Sequence, residues 1–285
     1  MKKIIIAAVF LCLCTVIGTL AVAQILDLPP RDAVYDKQHI QDNTPIPYPY
    51  VREADVMWSK RVWRMIDLRE KMNQPFYYPE YPQTDWRNLI TVFMDALKEG
   101  TLTAYDANTP SDEFLVPLYY NELMKRMERT ETMRLKRPYP PYNDFDTIIT
   151  RKFSAMDVKR FRVKEDWFFD KQRSVIEVRI MGICPVRDNF DERGEFRGYE
   201  PLFWIYFPEA RNVLAKAEVF NRRNNAQRLT YDDVFMKRLF ASYIYKEQNE
   251  YDRQISDYAL GLDALLESER IKNEIFLWES DLWEY

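Results

Sequence analysis

The spacing of apolar residues changes period twice along the chain. From Ala54 onward, Trp58, Val62, Met65, Ile66 and Met72 recur at intervals of three and four with Arg and Lys between them, which predicts an amphipathic helix. Thr84 is placed to cap a second helix whose stripe is Trp86, Ile90, Phe93 and Leu97 and which Gly100 ends. Residues 101–105 (TLTAY) read as a short strand, and Pro117 opens a third helix with Leu123 and Met127 on its inner side. The period then drops to two. Phe161, Val163, Trp167 and Phe169 share one side of a strand, and Ile176, Val178, Ile180, Gly182 and Cys184 alternate with Glu177 and Arg179 in the next. With a turn over Asp170–Arg173 these two runs predict an antiparallel hairpin, stopped by Pro185.

After a charged loop (Arg187–Arg197), Leu202–Phe207 is wholly apolar and fits a strand covered on both faces; Pro208 then starts a helix over PEARNVLAKAEVF. Helical spacing returns at Thr230, which with Asp233 resembles a capping box ahead of an inner stripe of Phe235, Leu239 and Tyr243. A last helical segment from about Tyr251 to Trp283 carries Ile255, Tyr258, Leu262, Leu265 and Ile275 and breaks at Gly261. The sum is an α+β fold: a small antiparallel sheet at the centre of the chain, flanked by N-terminal and C-terminal helices. Residues 52–150 are expected to be mainly helical, 151–221 to hold the sheet, and 222–285 to form the C-terminal helices.

Two segments escape this periodicity. Lys2 and Lys3 precede an apolar run from Ile4 to about Leu20 that ends in Ala21-Val22-Ala23. This is the pattern of a secretory signal peptide over 1–23, cleaved between Ala23 and Gln24. The run is also long enough for a retained anchor, although Thr15, Gly18 and Thr19 weaken it and the A-V-A ending favours cleavage. Residues 24–51 then form a Pro-rich extended arm, in which Pro45, Pro47 and Pro49 alternate with Tyr48 and Tyr50. Polyproline II geometry with aromatic groups suits docking into a partner's groove; a plain linker after the signal fits the same residues. A second Pro-rich interruption, Arg137-Pro138-Tyr139-Pro140-Pro141-Tyr142, reads as a loop between subdomains.

Composition removes several chemistries. The single His39 cannot build a His-rich metal site, and six glycines form neither GxGxxG nor a phosphate loop. If the signal is removed, Cys12 and Cys14 leave with it, Cys184 is the remaining thiol, and 39 bases face 45 acids for a net charge of −6. One thiol forms no internal disulfide; it can bridge to another chain or sit as a small buried residue. The acidic balance argues against nucleic-acid binding, which draws on a basic footprint.

Among the carboxylates Glu165 stands out, because it falls on the apolar side of its strand beside Val163 and Trp167. A raised pKa there would suit a general acid, with Asp170 or Glu177 as the second carboxylate of a glycosidase pair. An ion pair with a base such as Arg179 or Lys164 accounts for the same residue. The 43 aromatic residues in 285 could likewise supply sugar platforms, but most sit at core spacing. The acidic stretch Glu267–Tyr285, with Trp278 and Trp283 interspersed, reads as a contact surface or as an ordinary solvated helix.

The wording of the central segments is specific. Lys164-Glu165-Asp166-Trp167-Phe168-Phe169-Asp170, Arg179-Ile180-Met181-Gly182-Ile183-Cys184-Pro185 and Phe203-Trp204-Ile205-Tyr206-Phe207-Pro208-Glu209-Ala210-Arg211 resemble the gliding-motility GldN family, called PorN in non-gliding bacteria. Phe240-Ala241-Ser242-Tyr243-Ile244-Tyr245-Lys246-Glu247 and Leu266-Glu267-Ser268-Glu269 match too, so the resemblance runs from about Arg52 to the C-terminus. It implies a non-catalytic component of the type IX secretion system without cofactors. It further implies a periplasmic location at the inner face of the outer membrane, and self-association in a ring with an outer-membrane lipoprotein of the GldK/PorK type. The inner-membrane motor proteins of the GldL and GldM (PorL and PorM) type would engage that ring. The family has no catalytic motif, so no site residue is carried over; Tyr48, Tyr50, Trp278 and Trp283 remain the candidate partner contacts.

Overall fold

The computed structural model describes residues 40, 42–83, 86–109, 112–136, 138–140, 144–191, 194–221, 224 and 226–282. Residues 1–38 and 39–285 divide into two units, and the fold described here is that of the second. The expected signal segment, with Ala23 and Gln24, lies outside the described residues, as does the first part of the arm.

The central element is an eight-stranded antiparallel sheet in the order β12-β1-β6-β7-β9-β2-β3, with β8 also paired to β7. Its strands are β1 (Val56–Asp67), β2 (Ala104–Asp106), β3 (Pro117–Leu118), β6 (Val158–Asp170), β7 (Val175–Phe190), β8 (Phe196–Pro201), β9 (Phe203–Tyr206) and β12 (Tyr243–Glu247). The fold is α+β, and the predicted hairpin is its spine. β6 and β7 pair from Val158↔Arg187 to Asp170↔Val175, closed by a turn in which Ser174 takes a left-handed φ of 54°.

Three expectations change. First, the segment expected as a helix from Ala54 is β1, paired with β12 on one side and β6 on the other. Val62 to Asp67 are all buried, so both faces of this central strand are apolar or covered. Two-sided burial hides the period of two and lets helical spacing show through. Second, Pro185 does not stop β7, which continues to Phe190. On that edge β7 pairs with β9 as far as Ile183 and with β8 from Val186. Pro185 lies at the changeover, where its missing N–H costs little. Third, residues 52–150 are not mainly helical. Besides β1, β2 and β3 they hold β4 (Arg129–Lys136) and β5 (Asp144–Arg151), an antiparallel ribbon paired in register from Arg129↔Arg151 to Lys136↔Asp144. The Pro-rich loop is therefore the turn of a ribbon rather than a subdomain linker.

Helices pack on one face of the sheet. They are α1 (Gln74–Tyr77), α2 (Leu89–Glu99), α3 (Tyr120–Met127), α4 (Phe207–Leu214), α5 (Tyr231–Met236) and α6 (Leu262–Asp281). The Nδ2-bearing residue Asn88, not Thr84, caps α2: its Oδ1 accepts from the Thr91 N–H at 2.9 Å, and Gly100 closes the helix at φ 75°. Thr84 lies outside the described residues. Trp86 precedes α2 instead of facing its stripe. Pro117 is in β3, one turn ahead of α3, whose Leu123 and Met127 are buried as expected. The helix predicted over residues 208–220 ends at Leu214; Glu218–Val219 instead forms β10, paired with β11 (Leu229–Thr230).

The Thr230–Asp233 capping box forms and starts α5, but this helix stops after Met236, leaving Leu239 exposed and Tyr243 in β12. Its stop has a definite geometry. The Leu239 N–H donates to Val234 O and the Arg238 N–H to Phe235 O, a Schellman closure with Arg238 at φ 53° where glycine is usual. The main core joins α1, α2, α4 and α5 to Ile66, Phe161, Val163, Ile183 and Ile205 of the sheet. A smaller cluster seats Ile271 and Ile275 of α6 on Val62 and Ile244.

On the opposite face the loop before β3 is pinned down. Lys164 Nζ donates to Asp112 O, and Phe114, at φ 54°, packs edge-on to Tyr105, Trp204 and Tyr206. A Cβ at Gly182 would lie 2.6 Å from Phe114 Cζ, so this glycine is the gap that admits the ring.

Candidate interaction surfaces

Glu165 is fully buried, and its carboxylate is used. Both oxygens accept from Arg238 Nη2, at 3.0 and 3.1 Å, and Oε2 also accepts from Trp167 Nε1 at 3.1 Å. The partner is thus Arg238 from the end of α5, not Arg179 or Lys164. Arg179 instead donates to Pro49 O, and Lys164 is held by the Asp112 carbonyl. A β-bulge between Lys164 and Glu165 sets this register, with Lys164 opposite Gly182 and Glu165 opposite Ile180.

No second carboxylate faces Glu165. Asp170 is five residues along β6, hence on the other side and roughly 16 Å away. Its oxygens take Arg173 Nε at 2.7 Å and the Gln172 N–H at 2.9 Å, and the Arg173 hydrogen bond draws its pKa below the ordinary value. Glu177 sits opposite Phe168, three positions from Glu165, and also pairs with Arg173. Both separations exceed the ~5–9.5 Å that glycosidase pairs use, or point the wrong way. The trio the sequence suggests is not brought together. Among the described residues no group of three or more His, Cys, Asp or Glu could hold a metal ion, and no helix is long and apolar enough to cross a membrane.

Of the candidate contact residues, Tyr48 is already occupied by its own chain. Its ring lies between the guanidinium groups of Arg211 (4.5 Å) and Arg179 (5.1 Å), and burial raises the phenol pKa. Arg211 is itself paired with Asp232 at 2.9 Å. Together with Asn43 Nδ2 donating to Ala215 O at 3.2 Å, these contacts lay residues 43–49 along the core. Two residues on, Tyr50 is 90% exposed.

Trp278 lies on the packed side of α6. It stacks on Trp58 with ring centres 4.5 Å apart and meets Phe169 edge-on at 5.7 Å. Trp283 lies outside the described residues. The exposed side of α6 is where an unclaimed apolar surface appears. Ser268, Ile271 and Ile275 are buried, whereas Leu262, Leu265, Leu266, Phe276 and Leu277 are exposed. At 100° per residue the second group centres on the side of the helix opposite the first. The outer residues fall in two groups, Leu262, Leu265 and Leu266 at the helix start and Phe276 and Leu277 ten residues on, with Glu269, Arg270 and Asn273 between them. Leu266, Phe276 and Leu277 are missed when a single inner stripe is assumed. Glu269 lies on this face between the two groups, Glu267, Glu274 and Glu279 lie to its sides, and Arg270 bridges Glu267 at 2.7 Å and Glu274 at 3.2 Å. Two clusters of large exposed apolar groups on the outer side of one helix are more than scattered single residues, and exposed apolar clusters mark contact sites.

Among curated proteins no relative matches the chain. The family described as "Gliding motility associated protein GldN" matches residues 51–284, which takes in every strand of the sheet and the helices α1 to α6 described above. It is a family of gliding-motility and type IX secretion components and not one of known enzymes. By this match over most of its length, the chain belongs to the GldN family.

Proposed function

We propose that this chain is a non-catalytic structural subunit of the periplasmic ring complex of the type IX secretion system. It assembles with an outer-membrane lipoprotein of the GldK/PorK type and is held by it at the inner face of the outer membrane. The ring transmits to the secretion apparatus the action of inner-membrane motor proteins of the GldL and GldM type, and in gliding species serves motility. Export by the segment over 1–23, cleaved between Ala23 and Gln24, delivers the chain to that compartment.

The observation that carries this reading is the outer face of α6, where Leu262, Leu265, Leu266, Phe276 and Leu277 stand exposed while the opposite side of the same helix is fully used in packing. A helix apolar on both faces is half-satisfied alone. The buried ion pair at Glu165 supports the same conclusion, since it removes the one carboxylate that suggested catalysis. The test is co-purification from membranes of the native host. The chain is expected in large particles together with the lipoprotein; a stable monomer that ignores the lipoprotein would sink the proposal.

A further inference from the structure

The β4–β5 ribbon is rooted in a cluster of bases. Its first pair sets Arg129 directly opposite Arg151, and Lys152 follows at once. Like charges facing each other across an antiparallel pair repel, and a two-stranded ribbon has little stability of its own to absorb that. Arg187 of β7 completes the cluster; its side chain is 6% exposed. Together with Met127 at the end of α3 and Asp157 of the 3-10 turn Ala155–Asp157, these four bases line a recess of about 20 Å³.

The acids at hand are committed. Arg187 stands opposite Glu200 of β8. Its Nε and Nη2 donate to Glu200 Oε2 at 3.3 and 3.0 Å, and its Nη1 donates to Met127 O at 2.9 Å. The guanidinium is thus held in one orientation, and part of its five-donor fork is left without an acceptor among the described residues. The same Glu200 oxygen accepts from Arg129 Nη2 at 3.3 Å, so one carboxylate answers two guanidinium groups. Asp157 meets Arg151 only at 3.6 Å. Its other oxygen accepts the Ser154 N–H at 3.0 Å and closes the cap of the turn. Asp188, the next acid along β7, is taken up by Arg160 at 2.5 Å. Arg151 is 64% exposed, and Lys152, also exposed, pairs with no acid among the described residues. The four lining bases against Glu200 and Asp157 leave a local charge of +2, in a chain whose net charge is −4.

Such a cluster attracts an anion, and its layout selects the class. The recess has room for one atom the size of a water oxygen, so an oxyanion enters with one oxygen and keeps the rest at the mouth. The donors come from β4, β5 and β7 and from the residue after β5, not from one planar fork. A carboxylate is satisfied by a single fork, whereas a tetrahedral phosphate group offers oxygens in several directions to several bases. A phosphate monoester carries about −1.5 to −2 at neutral pH, which matches the local excess. We propose that the root of the β4–β5 ribbon is a binding site for a phosphate group, one oxygen held in the recess by Arg187 and the others by Arg129, Arg151 and Lys152. Bound there, the anion removes the repulsion between Arg129 and Arg151 and ties the ribbon to the sheet. The site is apart from the outer face of α6 and stands whether or not the chain captures a lipoprotein.

Isothermal titration of the purified chain at constant ionic strength tests this with inorganic phosphate, against acetate and chloride as competing anions. Phosphate is expected to bind saturably, at least tenfold more tightly than acetate, and to raise the thermal midpoint where equal chloride does not. In the test variant, Arg151→Gln with Lys152→Gln, both positions are exposed, so the fold should match the parent. It should lose at least tenfold in phosphate affinity and, with it, the rise in midpoint. The control variant, Lys98→Gln with Lys272→Gln, removes the same charge elsewhere on the surface and should bind phosphate like the parent. Phosphate bound no better than acetate, full binding by the test variant, or an equal loss in the control variant would each overturn the proposal. Vesicles of phosphatidylcholine with and without phosphatidic acid distinguish the source of the group. Capture by the phosphatidic acid vesicles that is lost in the test variant makes it a membrane headgroup; phosphate binding without vesicle capture makes it a soluble phosphate ester. Vesicle capture that the test variant retains, with no binding of inorganic phosphate, would also overturn the proposal.

Discussion

The Glu165–Arg238 pair makes a sharp prediction because two separate costs meet at one residue. Glu165 is 0% exposed and depends on Arg238 and Trp167 for its hydrogen bonds, while the Arg238 side chain is 33% exposed. Removing one partner of a buried ion pair costs about 3–5 kcal/mol. Solvent access to Arg238 puts Arg238→Ala at the lower end, about 3 kcal/mol. Glu165→Gln keeps an acceptor for Trp167 but leaves Arg238 and the buried Arg64 without their shared countercharge; a similar loss is expected. Arg238 also sits in left-handed backbone, which costs an L-residue about 1–2 kcal/mol. Arg238→Gly loses the guanidinium yet relieves that strain, so it should be about 1 kcal/mol more stable than Arg238→Ala. Helix propensity predicts the reverse order. For a unit of this size, 3 kcal/mol corresponds to a drop in Tm of roughly 6–12 °C. Equilibrium urea denaturation of the parent and three variants reads all of these quantities. A Gln variant within 1 kcal/mol of the parent, or an Ala variant at least as stable as the Gly variant, would refute the reasoning.

Three further outcomes follow from the packing. Gly182→Ala places a methyl 2.6 Å from Phe114 Cζ and should cost about 1–3 kcal/mol; Phe114→Leu in the same chain should recover part of it in the denaturation midpoint. Burial pushes the Cys184 thiol up to about 12, so its thiolate fraction near pH 8 is cut roughly a thousandfold from the ordinary value. Alkylation by iodoacetamide should therefore be slow in the native chain and fast in urea, and rapid native labelling would contradict the buried position. Burial alone would raise the pKa of Asp67, but hydrogen bonds from Arg69 and the charge of Arg160 outweigh it and hold the carboxyl below its ordinary value. Such a group stabilises the fold above its unfolded pKa of about 3.9, and that contribution is lost as pH falls through the lower, folded value. Asp67→Asn should consequently be less stable than the parent at pH 7, with the difference shrinking near pH 2; a pH-independent difference would count against the ion-pair explanation.

Much of the architecture could be read before the structure, and the failures have physical causes. The β6–β7 hairpin, β9, the α2 stop at Gly100 and the Thr230 capping box are all local signals: alternation, left-handed turns and caps act within a few residues. Of the helix expected from about Tyr251 only the part after Gly261 forms, as α6; before it stands a single 3-10 turn, Ile255–Asp257, so Gly261 starts a helix and does not break one. β1 fails because a central strand buried on both faces shows no alternation. α5 is cut short because Arg238 is drawn to Glu165, 73 positions earlier, a demand no window of sequence contains. The β4–β5 ribbon is overlooked because neither strand keeps an apolar side: in Arg129–Lys136, Met133 and Leu135 share a side with Arg129 and Glu131, and in Asp144–Arg151, Ile148 and Ile149 are adjacent. The contact surfaces divide the same way. Tyr48 and Trp278 are aromatic and conspicuous, yet their own chain claims both. Leu266, Phe276 and Leu277 are unremarkable singly and become a surface only when the inner face of α6 is known to be full.

The most direct measurement of the central claim, that this chain acts by contact, is capture of the native lipoprotein by a chain carrying Leu266→Glu and Leu277→Glu on the outer face of α6. Both side chains are exposed, so the fold and Tm should match the parent, while recovery of the lipoprotein and of large particles falls at least tenfold. A variant that captures the lipoprotein and forms particles as the parent does would contradict the account.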